Sequence, residues 1–395
     1  MNIGVYIHKI IYKVGGTESY TASFIEVLQS LKPAGKITLV TESFRKKDCI
    51  SAKELVEKLN SNYGCAIKTD NFFVKYINTK NIEIAEHGIR RYFSKLRRKC
   101  YFVLFLKKLK KVSQKYDFFI NCSNQNYAVN SPLNISVIHF PQNPEGKNGR
   151  LTKKDKKYID SYRLFLPNSF FTASWLKKKW NLTDDKIKVI YPPVNPVMSD
   201  AAKKENQILV CGRIEASKKT DVLINAFLSS KIISEQCTLK IAGSIDNEDK
   251  KFISLINKLV KDSDGRIELI ESPDRTKLEE LYAQSQIFWH AKGFGETNPM
   301  LMEHFGMTTI EAMSAGCVPV VINKGGQQEI VNENCGFRWN SIDELIEYTE
   351  KLIKNRNLLK SMEQESRKRW QIASKNTFKN AIKEVLDFVL SPNIF

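Results

Sequence analysis

Residues 296–326, ETNPMLMEHFGMTTIEAMSAGCVPVVINKGG, decide how this chain folds. Gly306 precedes a run with helical spacing through Ile310, Met313 and Ser314, which reads as a loop entering a helix. Residues 318–322 are apolar and β-branched and read as the buried strand that follows. The start of a helix exposes unpaired amides and a partial positive charge, so such a loop suits a phosphate. Two carboxylates frame it, Glu303 and Glu311, with seven residues between them. Glu303 falls in the loop and Glu311 one or two turns inside the helix. A loop carboxylate can bind sugar hydroxyls beside a phosphate, while the helical one reaches another part of the same ligand.

Outward from this block, strand-like and helix-like runs alternate along the whole chain. Strands are expected at 3–7, 37–40, 118–121, 135–139, 164–166 and 188–190, then at 208–211, 239–242, 267–270, 287–289 and 318–322. Helical spacing lies between them, as at 17–31, 170–180, 221–228 and 249–261. This alternation predicts an α/β protein with parallel sheets covered on both faces, and ligands bind such sheets beyond the carboxyl ends of the strands. The proline-rich run Tyr191-Pro192-Pro193-Val194-Asn195-Pro196 opens a linker at 191–204. A last amphipathic helix is expected from residue 375, with Phe378, Ile382, Val385, Leu386 and Val389 on one face.

The glutamate block, with Phe305-Gly306 and Glu311-Ala312-Met313, resembles the donor-binding signature of retaining glycosyltransferases of the GT-B fold, sequence family four. Many members carry glycine after the first glutamate, where this chain has His304. The segment Trp289-His290-Ala291-Lys292-Gly293-Phe294-Gly295 resembles a branch that acts on lipid-linked or surface glycans. The resemblance implies two Rossmann-like domains with parallel sheets facing across a cleft. The first, 1–198, would bind the acceptor and the second, 199–374, a nucleotide-diphosphate sugar, UDP-linked. A helix at 375–395 would cross back to the first domain. Transfer would retain the anomeric configuration. Glu311 would bind the ribose and Glu303 the donor sugar, with Phe305, Gly306, Met307 and Thr308 lining the donor site.

Three further places fit that chemistry. Arg213, just after the strand-like run ending at Cys211, and Lys218, before the helix at 221, put two cations at a strand-to-helix turn. Fixed cations stabilise a departing diphosphate without a metal, and in the resembled family these positions bind the diphosphate. Gly15-Gly16-Thr17-Glu18 allows close backbone approach, and Thr17 is placed to cap the helix that follows. The resemblance puts Gly16 opposite the donor phosphates and His139, at the end of an apolar strand, near the transferred sugar. Gly325-Gly326-Gln327-Gln328-Glu329 resembles the family's turn after the strand at 318–322, though a turn and helix start accounts for it equally well. The roles of His290 and His304 stay open. His290, Glu303 and His304 match no common zinc spacing, so neither cofactor nor metal is expected.

The chain has 395 residues, 42% of them hydrophobic, enough for two packed domains. No run approaches the length of a membrane span, and the start, MNIGVYIHKI, reads as a strand rather than a signal peptide. Eight scattered cysteines form no C-x-x-C pair and suit a reducing cytoplasm. Residues 1–198 hold 35 basic and 15 acidic side chains, a net of +20, whereas 199–395 net −1. Within 88–115 stand Arg90, Arg91, Lys95, Arg97, Arg98, Lys99, Lys107, Lys108, Lys110, Lys111 and Lys115, with no acid. Phe93, Leu96, Phe102, Leu104, Phe105, Leu106, Leu109 and Val112 interleave them. That pattern suits a basic amphipathic helix or helix pair on an anionic membrane surface, peripheral on the inner face of the plasma membrane. A solvated face over a core stripe is the plainer alternative. No zinc-finger or RNA-recognition signature supports nucleic acid. The rival functions are a sugar-nucleotide epimerase of the same architecture and a basic nucleic-acid-binding protein.

Overall fold

Strand β1 (Asn2–Ile7) is buried at five of its six residues, the pattern of a strand covered on both faces. In the computed structural model it lies inside a parallel sheet with β2 (Lys36–Ser43), β3 (Phe72–Asn78), β4 (Phe118–Asn121), β5 (Leu133–Ile138) and β6 (Leu164–Pro167), in the order β3-β2-β1-β4-β5-β6. The structure describes residues 1–12, 15–43, 45–78, 88–141, 151–197, 205–245 and 249–391, with the side chains of 12, 46 and 88–95 left aside. The period of two sorts side chains between two cores. Ile3, Val5 and Ile7 point into one, with α1 (Gly16–Leu31) and α2 (Ala52–Tyr63), while Tyr6 points into the other. That second core also takes Phe105 and Leu109 of α3 (Gly88–Ser113), Tyr158 of α4 (Lys153–Asp160) and Leu176 of α5 (Phe170–Trp180).

The second sheet repeats the plan. Strands β7 (Glu205–Cys211), β8 (Thr238–Gly243), β9 (Ile267–Glu271), β10 (Ser285–His290), β11 (Val318–Ile322) and β12 (Phe337–Trp339) are all parallel, in the order β12-β11-β10-β7-β8-β9. Both sheets reverse direction beside their first strand, as in a doubly wound Rossmann sheet. Around the second lie α6 (Thr220–Ser229), α7 (Lys231–Gln236), α8 (Lys250–Lys261), α9 (Arg275–Gln284), α10 (Met307–Ser314), α11 (Gln327–Ile330), α12 (Ile342–Lys354) and α13 (Arg356–Arg369). Ile208 and Val320 face one core, and their neighbours Leu209 and Val321 the other.

The chain forms two compact units. One comprises Met1–Asn168, Thr172–Ile190 and Phe378–Phe395, the other Ser169–Phe171 and Tyr191–Thr377. Helix α14 (Lys375–Leu390) begins in the second unit, and its apolar face, Phe378 to Val389, is part of the first unit's core. The boundary expected at 198/199 lies outside the described residues.

Two local expectations change. Residues 188–190 run beside β6, where the Lys188 and Ile190 amides donate to the Phe165 and Pro167 carbonyls, but they are not a strand of the sheet. Pro167 has no N–H to return, which stops the ladder. Thr17 does not cap α1: the helix begins at Gly16, and no side chain caps it. The basic segment is a single helix, α3, the first of the two forms expected. The side chains of Arg90, Arg91, Phe93 and Lys95 lie outside the described residues.

Candidate nucleotide-sugar site

Glu303 precedes α10 in a loop, and the turn after β11 holds that loop in place. Gly325 has φ +63°, and a Cβ there would sit 2.1 Å from the Glu303 carbonyl oxygen. The Gly326 amide donates to that same carbonyl at 2.8 Å. Only glycine permits this approach in a left-handed conformation. Gly306, with φ +117°, then caps α10 without any side-chain bond. The Thr309 and Ile310 amides turn back to the Gly306 carbonyl at 3.1 and 3.2 Å. The Met307 and Thr308 amides find no acceptor among the described residues, the condition in which a helix start attracts an anion.

The Glu303 carboxylate is the hub of a charged cluster. Its Oε2 accepts from Lys218 Nζ at 3.0 Å and lies 3.3 Å from His290 Nε2, while its side chain keeps 17% exposure. Burial alone would raise its pKa. The Lys218 ammonium, the His290 hydrogen bond and Lys292 outweigh burial and hold the carboxyl well below the usual range. Burial also lowers the His290 pKa, with Lys218 and Lys292 adding to it and Glu303 opposing. His290 is therefore neutral at pH 7 and donates Nε2–H to the ionised Glu303. Its buried Nδ1 has no partner among the described residues. Lys292 is half-buried and loses basicity through burial, with Lys218 and Arg213 repelling its charge and Glu303 and Glu215 attracting it. Arg213 is 63% exposed and reaches Glu215 at 3.1 Å.

Three of these groups, Arg213, Lys218 and His290, share an address. Gly212, Arg213, Lys218, His290 and Ala291 line one recess beyond the carboxyl ends of β7 and β10. Those strands flank the point where the sheet order reverses, where open parallel sheets bind ligands.

Glu311 stands in the second turn of α10 and is held differently. Its Oε1 accepts from Arg275 Nη1 at 2.9 Å, and its Oε2 from the buried Tyr282 hydroxyl at 3.0 Å. A carboxylate has about four acceptor positions, so two remain for a ligand. Arg275 also bonds Glu279 at 2.6 Å. It heads α9, beyond the carboxyl end of β9.

The remaining expected residues take varied places. Phe305 is 2% exposed and packs on Tyr191 with ring centres 5.1 Å apart, so only its backbone is left to face a ligand. His304 stacks on Phe171 and points its Nε2 at the Pro299 carbonyl. Glu329 accepts the Phe170 and Phe171 amides and the Tyr191 hydroxyl at 2.8–3.0 Å, which is a structural role. Gly16 and His139 belong to the other unit. Gly16 is exposed at the start of α1. His139 directly follows β5, against the edge of Tyr20. Its Nε2 is buried without a partner among the described residues, and burial lowers its pKa to about 4. Sequence reading missed Arg275, Tyr282 and Lys292 as site neighbours. Lys292 sat inside a quoted motif, but nothing local marked Arg275, which lies 36 residues from the carboxylate it holds. Among the described residues no group of His, Cys, Asp and Glu is arranged to hold a metal.

The profile of the family described as "Glycosyl transferases group 1" matches residues 195–369. The chain is 22% identical over 285 residues to the GDP-Man:Man(3)GlcNAc(2)-PP-Dol alpha-1,2-mannosyltransferase of Dictyostelium discoideum, covering 67% of this chain and 55% of that protein. It spans about half, or less, of the length of the curated relatives it matches. Among solved structures it superposes on Anabaena HepE in complex with UDP, with TM-score 0.69 at 14% identity, over 98% of this chain and 100% of that one. It also superposes on sucrose-phosphate synthase from Thermosynechococcus elongatus, with TM-score 0.70 at 14% identity, over 99% of both chains. The fold is therefore GT-B, with two Rossmann-like α/β domains.

Proposed function

We propose that this chain is a glycosyltransferase that moves a sugar from a nucleotide-diphosphate donor, UDP-linked, to a glycan or lipid-linked acceptor. The observation that carries this reading is the Glu303 cluster: a half-buried carboxylate held by Lys218 and His290, four residues before a helix start that no side chain caps. The family profile spans this cluster. The mannosyltransferase relative is named for a dolichol-linked acceptor, and HepE was solved with UDP, which supports the two substrate classes. The profile is one of glycosyl transferases and lends nothing to the epimerase or nucleic-acid readings.

In this reading the C1–oxygen bond to the diphosphate breaks as the acceptor oxygen attacks C1 on the same face. The acceptor proton passes to the departing phosphate oxygen. Charge that grows on the diphosphate is met by Arg213, Lys218 and the Met307 and Thr308 amides, groups already in place before the reaction. Glu303 orients hydroxyls of the sugar and Glu311 those of the ribose. Gly16 and His139 keep the roles the resemblance assigns, and the basic first unit supplies the acceptor side. No metal takes part, and the protein works at the cytoplasmic face of the membrane.

A melting-temperature panel of nucleotide diphosphates and their sugars finds the donor, because a ligand that binds only the folded state raises the melting point. With that donor, nucleotide diphosphate should be released when lipid-linked or glycan acceptors are added, and release should persist in EDTA. Release that needs no acceptor, or that stops on chelation and returns with manganese, contradicts the proposal.

A further inference from the structure

Helix α3 turns one face inward, and among the described residues the opposite face has no protein partner. Among the described residues Phe105, Leu109 and Ser113 are its buried ones. At helical spacing on the other side stand Leu96, Cys100, Val103, Leu104, Lys107 and Lys111, all exposed. Leu96 and Val103 are each 45% exposed and Leu104 51%, an unusual concentration of aliphatic surface on one helix. Arg97 and Lys108 flank this row on one side, Lys99 and Lys110 on the other. Among the described residues none of these cations meets a carboxylate.

Lys154 of α4 lies over the Phe102 ring, 5.0 Å from its centre, on the inward side of α3 where Phe102 also meets Phe105 and Tyr127.

We propose that α3 forms a docking face for an anionic lipid bilayer, with Leu96, Val103 and Leu104 entering the headgroup boundary and the surrounding cations meeting lipid phosphates. Among the described residues no helix is long and apolar enough to cross a membrane, so contact of this kind is interfacial. A nucleic acid offers its phosphates to the cations but no apolar layer to the aliphatic row, and the aromatic ring best placed to stack on a base, Phe102, already lies under Lys154. A second copy of the chain would bring two strongly positive halves together. The face lies wholly in the first unit and does not rest on the donor chemistry.

The test uses the full chain and vesicles of phosphatidylcholine, alone or mixed with phosphatidylglycerol. The parent should bind only the mixed vesicles, and salt should weaken binding. Changing Arg97, Lys99, Lys107 and Lys108 to glutamine should cut affinity by up to roughly a thousandfold at low salt, at about fivefold per charge. Changing Leu96, Val103 and Leu104 to serine should also weaken binding while leaving its salt dependence in place. A Leu104→Trp reporter should shift its emission to the blue on mixed vesicles. All variants should melt as the parent does, since the altered side chains are exposed. Parental binding by either multiple variant, an unshifted reporter, or tighter binding to duplex DNA or poly(U) than to mixed vesicles would overturn the proposal.

Discussion

Glu311 owes its orientation to two donors of different strength. The Tyr282 hydroxyl is buried, whereas the Arg275 side chain is 48% exposed, so solvent screens much of that pair's attraction. Arg275→Ala should therefore weaken nucleotide diphosphate binding by about 1 kcal/mol, roughly fivefold. The loss should disappear with a dideoxy diphosphate, which has no ribose hydroxyls for Glu311 to meet. Calorimetry with both ligands measures this, and an equal loss for both would show that Arg275 acts elsewhere. His139 makes a pH prediction. Burial lowers its folded pKa to about 4, against an ordinary value of 6.5. The unfolded chain thus binds its proton first as pH falls, and stability is lost between about 6.5 and 4. Buried His290 adds a slope of the same sign. Urea midpoints of the parent should drop across that window, and those of His139→Gln should drop less. An identical slope would mean that His139 is solvated in the folded state.

At the scale of elements, what sequence could show depended on how local the cause was. The loop entering α10 and strand β11 were legible because Gly306, the helical spacing and the run Val318–Ile322 are neighbours in the chain. Parallel sheets were legible from alternation. Strand β3 was missed although FFVKYIN alternates sides, since its exposed Phe73 and Lys75 mark it as an edge. Strand β12 has three residues, too few for any period. The Gly325-Gly326 turn looked adequate as a plain turn, and only the structure shows that it braces Glu303. Gly325→Ala should force the Glu303 backbone to move, because its Cβ would sit 2.1 Å from that residue's carbonyl oxygen. We expect a loss of about 1–3 kcal/mol in unfolding free energy. Activity should fall further than in a core variant of equal stability. Parental activity in Gly325→Ala would mean that the brace does not position Glu303.

Across the whole molecule, charge and chemistry divide along the chain. The first half carries the positive excess and the exposed row of α3. The second carries two carboxylates set among Arg213, Lys218, Arg275 and Lys292, with a net charge near zero. Composition revealed the asymmetry, but not which cations are free of carboxylate partners, because pairing depends on residues far apart in sequence. Lys218 and Glu303 are 85 residues apart and meet at 3.0 Å. The central claim, that this second half binds a nucleotide sugar through two carboxylates of separate duty, is tested most directly by calorimetric titration. Free UDP and a UDP-sugar would be titrated into the parent, Glu303→Ala and Glu311→Ala. Glu311→Ala should weaken both ligands by roughly ten- to a hundredfold, the loss of about 1.5–3 kcal/mol expected for a charged hydrogen bond. Glu303→Ala should leave free UDP nearly unchanged and weaken only the UDP-sugar. A parent that binds neither ligand, or a Glu303→Ala variant that loses free UDP while Glu311→Ala keeps it, would contradict the account.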